Sequence, residues 1–78
     1  MSVTAYVLIQ TEVGRAERVA SAARAIPGVI ASDNVAGPYD VIVKAESGSL
    51  DDLGKLVVSE LQKVEGITRT FTCPVVNL

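Results

Sequence analysis

The sequence predicts an α+β domain in the order β-α-β-β-α-β, with two helices on one face of a four-stranded antiparallel sheet. Two observations carry this. Four short segments are apolar with strand character, and two others repeat apolar residues at helical spacing. The chain also repeats itself. Residues Ala5 to Glu12 match Tyr39 to Glu46, with Gly14 and Gly48 at the same offset beyond. Ile26-Pro27-Gly28-Val29 likewise matches Val64-Glu65-Gly66-Ile67, after a slightly longer second helix. Two β-α-β units in tandem make the ferredoxin-like split arrangement, and right-handed crossovers place both helices on the same side of the sheet.

The first segment, Val3 to Gln10, is rich in β-branched and aromatic residues and too short for a capped helix, so it reads as a strand. Val3, Ala5, Val7 and Ile9 form one face; Thr4, Tyr6, Leu8 and Gln10 form the other. Gly14 breaks the run. Arg15 to Ile26 reads as a helix, with Ala16, Val19, Ala20 and Ala23 on a single stripe. Pro27-Gly28 stops it, because proline cannot continue the ladder and glycine accepts a left-handed turn.

Val29 to Val35 is the second strand and Tyr39 to Ala45 the third. Ala36-Gly37-Pro38 turns between them, a break short enough to make an antiparallel hairpin. Ser49 opens the second helix in a capping box that uses Asp52 in place of the longer Glu. Leu53, Leu56, Val57, Leu61 and Val64 fall at helical spacing. Asp51 and Asp52 near the start and Lys63 near the end complement the helix dipole. Gly66 ends the helix, and Ile67 to Val76 is the fourth strand.

Helices cover one face of such a sheet and leave the other bare. With Val3, Ala5, Val7 and Ile9 turned toward the helices, Tyr6 and Leu8 point outward, and Ile42 is their neighbour on the third strand. An apolar patch left open in this way marks an interface.

Composition points to association as well. The chain has 78 residues, no histidine and one cysteine, and carries 7 basic and 9 acidic residues for a net charge of −2. That is one domain, residues 1–78, with a core that contributes no more than roughly 3–5 kcal/mol. A lone cysteine excludes an internal disulfide, and the zinc-type nitrogen and sulfur ligands are not available. Self-association is what remains. Arg15, Arg18, Arg24, Lys44, Lys55, Lys63 and Arg69 are scattered among acids, which argues against a nucleic-acid grip. No apolar run approaches the ~20 residues that span a bilayer. The N-terminus has no basic start followed by an apolar stretch, and one unpaired cysteine suits the cytoplasm.

Without histidine, imidazole acid–base chemistry and the usual triads are absent, and no catalytic residue is assigned. Nor is any cofactor, since no glycine-rich phosphate loop is present. Cys73, ahead of Pro74 with no basic neighbour, reads as a small packed residue. Asp51 and Asp52 are explained by capping, so no metal site is assigned.

Two segments stand above this background. In Asn34-Val35-Ala36-Gly37-Pro38-Tyr39-Asp40 the turn explains Gly37 and Pro38, but an acid just inside an apolar strand needs a partner. A carboxylate beside free backbone N–H groups could grip both ends of a zwitterion. In Thr68-Arg69-Thr70-Phe71-Thr72, three threonines share one face. They suit a strand, and could equally line a polar pocket at a subunit contact.

Gly37-Pro38-Tyr39-Asp40, running into Val41-Ile42-Val43, resembles the G-x-Y/F-D motif of the Lrp/AsnC effector domain, also called the RAM domain. Ile67 to Thr72 is similar to its closing strand, V-x-x-T-x-T, and Ile26-Pro27-Gly28-Val29 to its P-x-V stop. The resemblance covers essentially the whole chain. It implies a domain that dimerises through its sheets, builds octameric or similar rings, and binds amino-acid effectors between dimers. Carried over, Gly37, Tyr39 and Asp40 hold the ligand, Asn34 and Val35 lead into the motif, and Thr70 and Thr72 complete the pocket from a neighbouring subunit.

Two departures qualify the resemblance. Pro38 removes one backbone donor from the hairpin. Full-length members also place a helix-turn-helix ahead of this domain, whereas the first strand here begins at Val3. The expectation is therefore a stand-alone module for effector sensing and transcription regulation, with no DNA binding of its own, able to join full-length relatives in mixed oligomers. Two other readings share the element order: a small dimeric cofactor-free enzyme such as a monooxygenase, and an ACT-like amino-acid-binding domain. Zero histidine and zero tryptophan count against the first, and the Gly37-to-Asp40 motif against the second.

Overall fold

The computed structural model describes residues 2–78, apart from the side chain of Val58. Its elements are β1 (Val3–Thr11), α1 (Ala16–Arg24), β2 (Val29–Asn34), β3 (Val41–Ser47), α2 (Leu50–Ser59), a 3₁₀ turn (Leu61–Lys63) and β4 (Ile67–Pro74). The sheet is antiparallel throughout, in the order β2-β3-β1-β4. This is the ferredoxin-like arrangement, with β1 and β3 at its centre.

The predicted faces hold. Ala5, Val7 and Ile9 on β1 and Val41, Val43 and Ala45 on β3 are fully buried. They meet Val19, Ala20 and Ala23 from α1 in the main cluster, with Leu53 of α2 beside Ala5 and Ala45 in a smaller one. Each large aliphatic side chain buried here contributes about 1.5–3 kcal/mol, so these contacts fix the helices to the sheet. Ser32 is the buried polar exception, and its hydroxyl donates to the Ala20 carbonyl at 3.0 Å.

Several boundaries differ from the sequence reading. Helix α1 ends at Arg24, and Ile26 is drawn in by a tighter bond from its N–H to the Ala23 carbonyl at 3.1 Å. The second helix breaks at Glu60, and Leu61 stays buried because a 3₁₀ turn carries it back to the core. Lys63 therefore lies outside α2, whose last turn has no basic residue. Tyr39 and Asp40 precede β3, which starts at Val41. Strand β4 stops at Pro74, although Val75 still donates one bond to the Thr4 carbonyl at 2.8 Å. The Ser49 cap is as predicted: its hydroxyl accepts from the Asp52 amide at 3.1 Å.

The internal repeat has a structural counterpart in Gly28 and Gly66, both left-handed at φ 98° and 101°. The Glu46 amide donates to the Gly28 carbonyl and the Glu12 amide to the Gly66 carbonyl, each at 2.8 Å. Each glycine also abuts the helix of the other half. A Cβ at Gly28 would lie 3.0 Å from Leu56 Cδ1, and one at Gly66 2.9 Å from Arg15 Cβ.

Candidate functional site

The hairpin between β2 and β3 is tied to β1. The Asp40 N–H donates to the Ile9 carbonyl at 2.9 Å, and its own carbonyl accepts from the Val35 amide at 2.9 Å. The Gln10 amide group reaches up to the Pro38 carbonyl at 3.0 Å. Gly37 holds φ at 129° with open space where a Cβ would stand. The partner that the sequence demanded for Asp40 is Thr11. Oδ2 accepts from the Thr11 amide at 2.8 Å and faces its hydroxyl at 3.3 Å, leaving Oδ1 for another group. The carboxylate is half-buried and held in place by the chain's own backbone.

Asn34 is exposed at the end of β2, and Val35 is half-buried where the turn begins. Tyr39 turns its ring toward Phe71 of β4, centroid to centroid 5.9 Å and edge-on at 71°. Thr70 and Thr72 do not join this group within one chain. They pair with Ile9 and Val7 across β1 and so share the helix-side face. Phe71, one residue away, pairs with Leu8 on the opposite face. The hairpin and the threonine strand thus flank β1 from two sides.

The open face carries the apolar row Ile42–Leu8–Phe71, three residues in register across β3, β1 and β4. Next to it runs Lys44–Tyr6–Cys73. Tyr6 and Phe71 are each 40% exposed, while Leu8 and Ile42 are half-buried. Cations sit on both aromatic rings: Lys44 Nζ lies 5.8 Å from the Tyr6 centroid, and the Arg69 guanidinium 5.5 Å from that of Phe71. Cys73 corrects the sequence reading. It is exposed rather than packed, because β4 is an edge strand and Cys73 turns to the uncovered face. Phe71, Lys44 and Thr11 were not singled out from sequence. Strand alternation at β4 gives Phe71; nothing in the sequence gives Thr11.

Three surface recesses lie elsewhere. One of 210 Å³, lined by Gln62, Ile67, Thr68, Arg69 and Thr70, reaches a predicted site residue. Another of 550 Å³ lies along α2 beside Pro27 and Leu56, and a third of 380 Å³ runs beside β2 at Arg24 and Asp33. Among the described residues no group of three or more His, Cys, Asp or Glu gathers as a metal site would require, and no helix is long and apolar enough to cross a membrane.

The geometry defines a ferredoxin-like α+β domain with one covered and one uncovered sheet face. The sequence matches the family profile of the Lrp/AsnC ligand binding domain over residues 4–77, and the chain belongs to that family. It is 32% identical to an uncharacterized HTH-type transcriptional regulator of Pyrococcus furiosus, covering 92% of this chain and 50% of that protein. The chain thus spans about half the length of the curated relatives it matches. Among solved structures, a hypothetical protein from Pyrococcus horikoshii superposes with a TM-score of 0.88 at 33% identity, covering 97% of this chain and 92% of that one. The fold is also shared with a Neisseria meningitidis transcriptional regulator solved in complex with L-methionine, with a TM-score of 0.83 at 17% identity, covering 96% of this chain and 50% of that one.

Proposed function

We propose that this chain is a non-enzymatic effector-sensing and oligomerisation domain that binds a small α-amino acid at the Asn34–Asp40 hairpin. It acts in the cytoplasm as a modulator of transcription regulators. The observation that carries this reading is Asp40: a carboxylate anchored through Oδ2 by Thr11, with Oδ1 available to receive an ammonium group. Membership of a ligand-binding family supports it. So does the complex of the Neisseria regulator, whose bound ligand is an amino acid.

Within one chain the hairpin and the Thr70–Thr72 strand lie on either side of β1. In the proposed pocket Thr70 and Thr72 come from a neighbouring subunit. This reading makes ligand binding and assembly one event. Copies join first through the open face around Tyr6, Leu8 and Ile42, and the dimers then close into a ring of eight or a similar number. Full-length Lrp/AsnC regulators are candidate partners in mixed rings.

Isothermal titration with the proteinogenic amino acids tests the site, run on the wild type and on Asp40→Asn, which keeps an oxygen for Thr11 but loses the charge. The expected result is at least one binder whose affinity falls tenfold or more in the variant. Binding that survives unchanged moves the site away from the hairpin, and no binder in the millimolar range removes the sensing role. Co-purification with tagged full-length regulators tests mixed assembly separately.

A further inference from the structure

The hairpin that carries Asp40 is tied to β1 by more than its carboxylate. The Asp40 N–H bonds to the Ile9 carbonyl, and Oδ2 takes the Thr11 amide. A side chain adds a further strap: Gln10 Nε2 donates to the Pro38 carbonyl at 3.0 Å, across 28 residues of chain. This strap adds nothing to the sheet ladder or the core. Pro38 lies between β2 and β3, and Gln10 belongs to neither core cluster.

What the strap does is turn a peptide plane. The Pro38–Tyr39 peptide is trans, so its carbonyl and its N–H point in opposite directions. The proline ring locks φ at Pro38, which leaves ψ there to set how the plane is turned. A donor that draws the Pro38 carbonyl toward Gln10 therefore points the Tyr39 N–H the other way. Tyr39 is held at its other end too, where its ring meets Phe71 edge-on at 5.9 Å between centroids. Among the described residues, the N–H groups of Ala36, Gly37 and Tyr39 have no hydrogen-bond partner in the chain. That of Tyr39 adjoins Asp40 in sequence, and its direction is the one a side chain fixes.

We infer that Gln10 is a positioning residue of the amino-acid site: by holding the Pro38 carbonyl, it directs the Tyr39 N–H at the carboxylate of a ligand whose ammonium group meets Asp40 Oδ1. The inference rests on the hairpin reading above and adds the group that receives the second charge of the zwitterion. Pro38 creates the need for such a device. Proline has no N–H, so one donor is missing from the hairpin and the next one has to be oriented. With the plane turned over, the Pro38 oxygen faces the ligand carboxylate instead, and two acceptors without a proton between them repel.

Gln10→Met tests this, because it keeps the length and neutrality of the side chain and removes the donor. The proteinogenic amino acids, each beside the amine that lacks its carboxylate, are titrated into the wild type, Gln10→Met and Asp40→Asn. In Gln10→Met the affinity of a binding amino acid should fall roughly fivefold or more, the worth of one hydrogen bond, while that of its amine stays unchanged. Asp40→Asn should weaken both. Equal losses of amino acid and amine in Gln10→Met mean a merely structural role and overturn the inference, as does wild-type affinity for the amino acid. If Asp40→Asn binds both as the wild type does, or no amino acid binds the wild type, the hairpin reading fails and this one falls with it. Amide exchange gives a further reading on the wild type alone. The Tyr39 amide should exchange fast in the free protein and slow down when the amino acid binds; an amide already protected without ligand, or still fast with it, overturns the inference.

Discussion

The Asp40 carboxylate accepts the Thr11 amide at 2.8 Å across 29 residues of chain, and so clamps the β2–β3 turn to the end of the central strand. The bond lies where the β1–β4 register shifts, between Gln10 and Thr11. The extra residue at that shift is Thr68 on β4; on its other side Thr11 lies beyond the β1–β3 ladder, whose last pair is Ile9 and Val41, and its amide takes the carboxylate as partner. A residue that reads as a ligand anchor is therefore also a structural one.

That double duty makes the choice of substitution matter. Asp40→Ala is expected to lose about 1–2 kcal/mol, the range for a partly exposed hydrogen bond to a charged group. For a domain of this size the loss lowers Tm by roughly 5–15 °C. Asp40→Asn should keep most of the stability. Thermal denaturation of both variants checks this, and equal losses would show that Thr11 needs the charge and not just the oxygen.

The open face offers a second test. Leu8 stands at the centre of the Ile42–Leu8–Phe71 row and away from the core. Leu8→Lys should leave the fold intact, since Leu8 is not part of either core cluster, and should lower the molecular mass seen by light scattering. A folded variant of unchanged mass would show that this face is not an assembly surface.

Gly66 and Gly37 separate crowding from backbone conformation. Both have positive φ, but a Cβ at Gly66 meets Arg15 Cβ at 2.9 Å and Val19 Cγ2 at 3.3 Å, whereas Gly37 faces open space. Gly37→Ala should lose about 1 kcal/mol from backbone strain alone. Gly66→Ala adds overpacking of about 1–3 kcal/mol. Urea denaturation should rank them in that order.

Ser49 is the side-chain cap of α2, accepting from the Asp52 amide at 3.1 Å. Ser49→Ala should lower stability by about 1 kcal/mol. Because α2 anchors the smaller cluster through Leu53, the loss should show first as faster exchange of α2 amides.

Much of the fold is legible in the sequence, for a physical reason. Strand faces follow a period of two, so alternation alone marks Ala5, Val7 and Ile9 as the buried side. The tandem repeat supplies the topology. Boundaries are less legible where backbone bonds at element ends override side-chain periodicity, as at Glu60, where the helix tightens and Leu61 stays inside. The hairpin is identifiable from Gly37-Pro38-Tyr39-Asp40, but its tie to Thr11 is not, because strand register brings the two together. Cys73 misleads for a similar reason: packing inward or facing outward depends on which strand lies at the edge, and composition does not encode strand order.

Strand β1 lies between β3 and β4, and both follow it in the chain. During synthesis the first strand therefore waits. Its inner partner begins at Val41 and its outer partner at Ile67, so both ladders close over long stretches of chain, where loop entropy slows folding. Until then Val7 and Ile9 have no sheet to join, and the growing polypeptide presents an apolar ribbon to whatever is nearby. The two halves clasp each other through Gly28 and Gly66, so neither has a finished surface alone. A ribosome pausing after the hairpin would hold a sticky intermediate, and emergence of the final strand is what turns it into a domain.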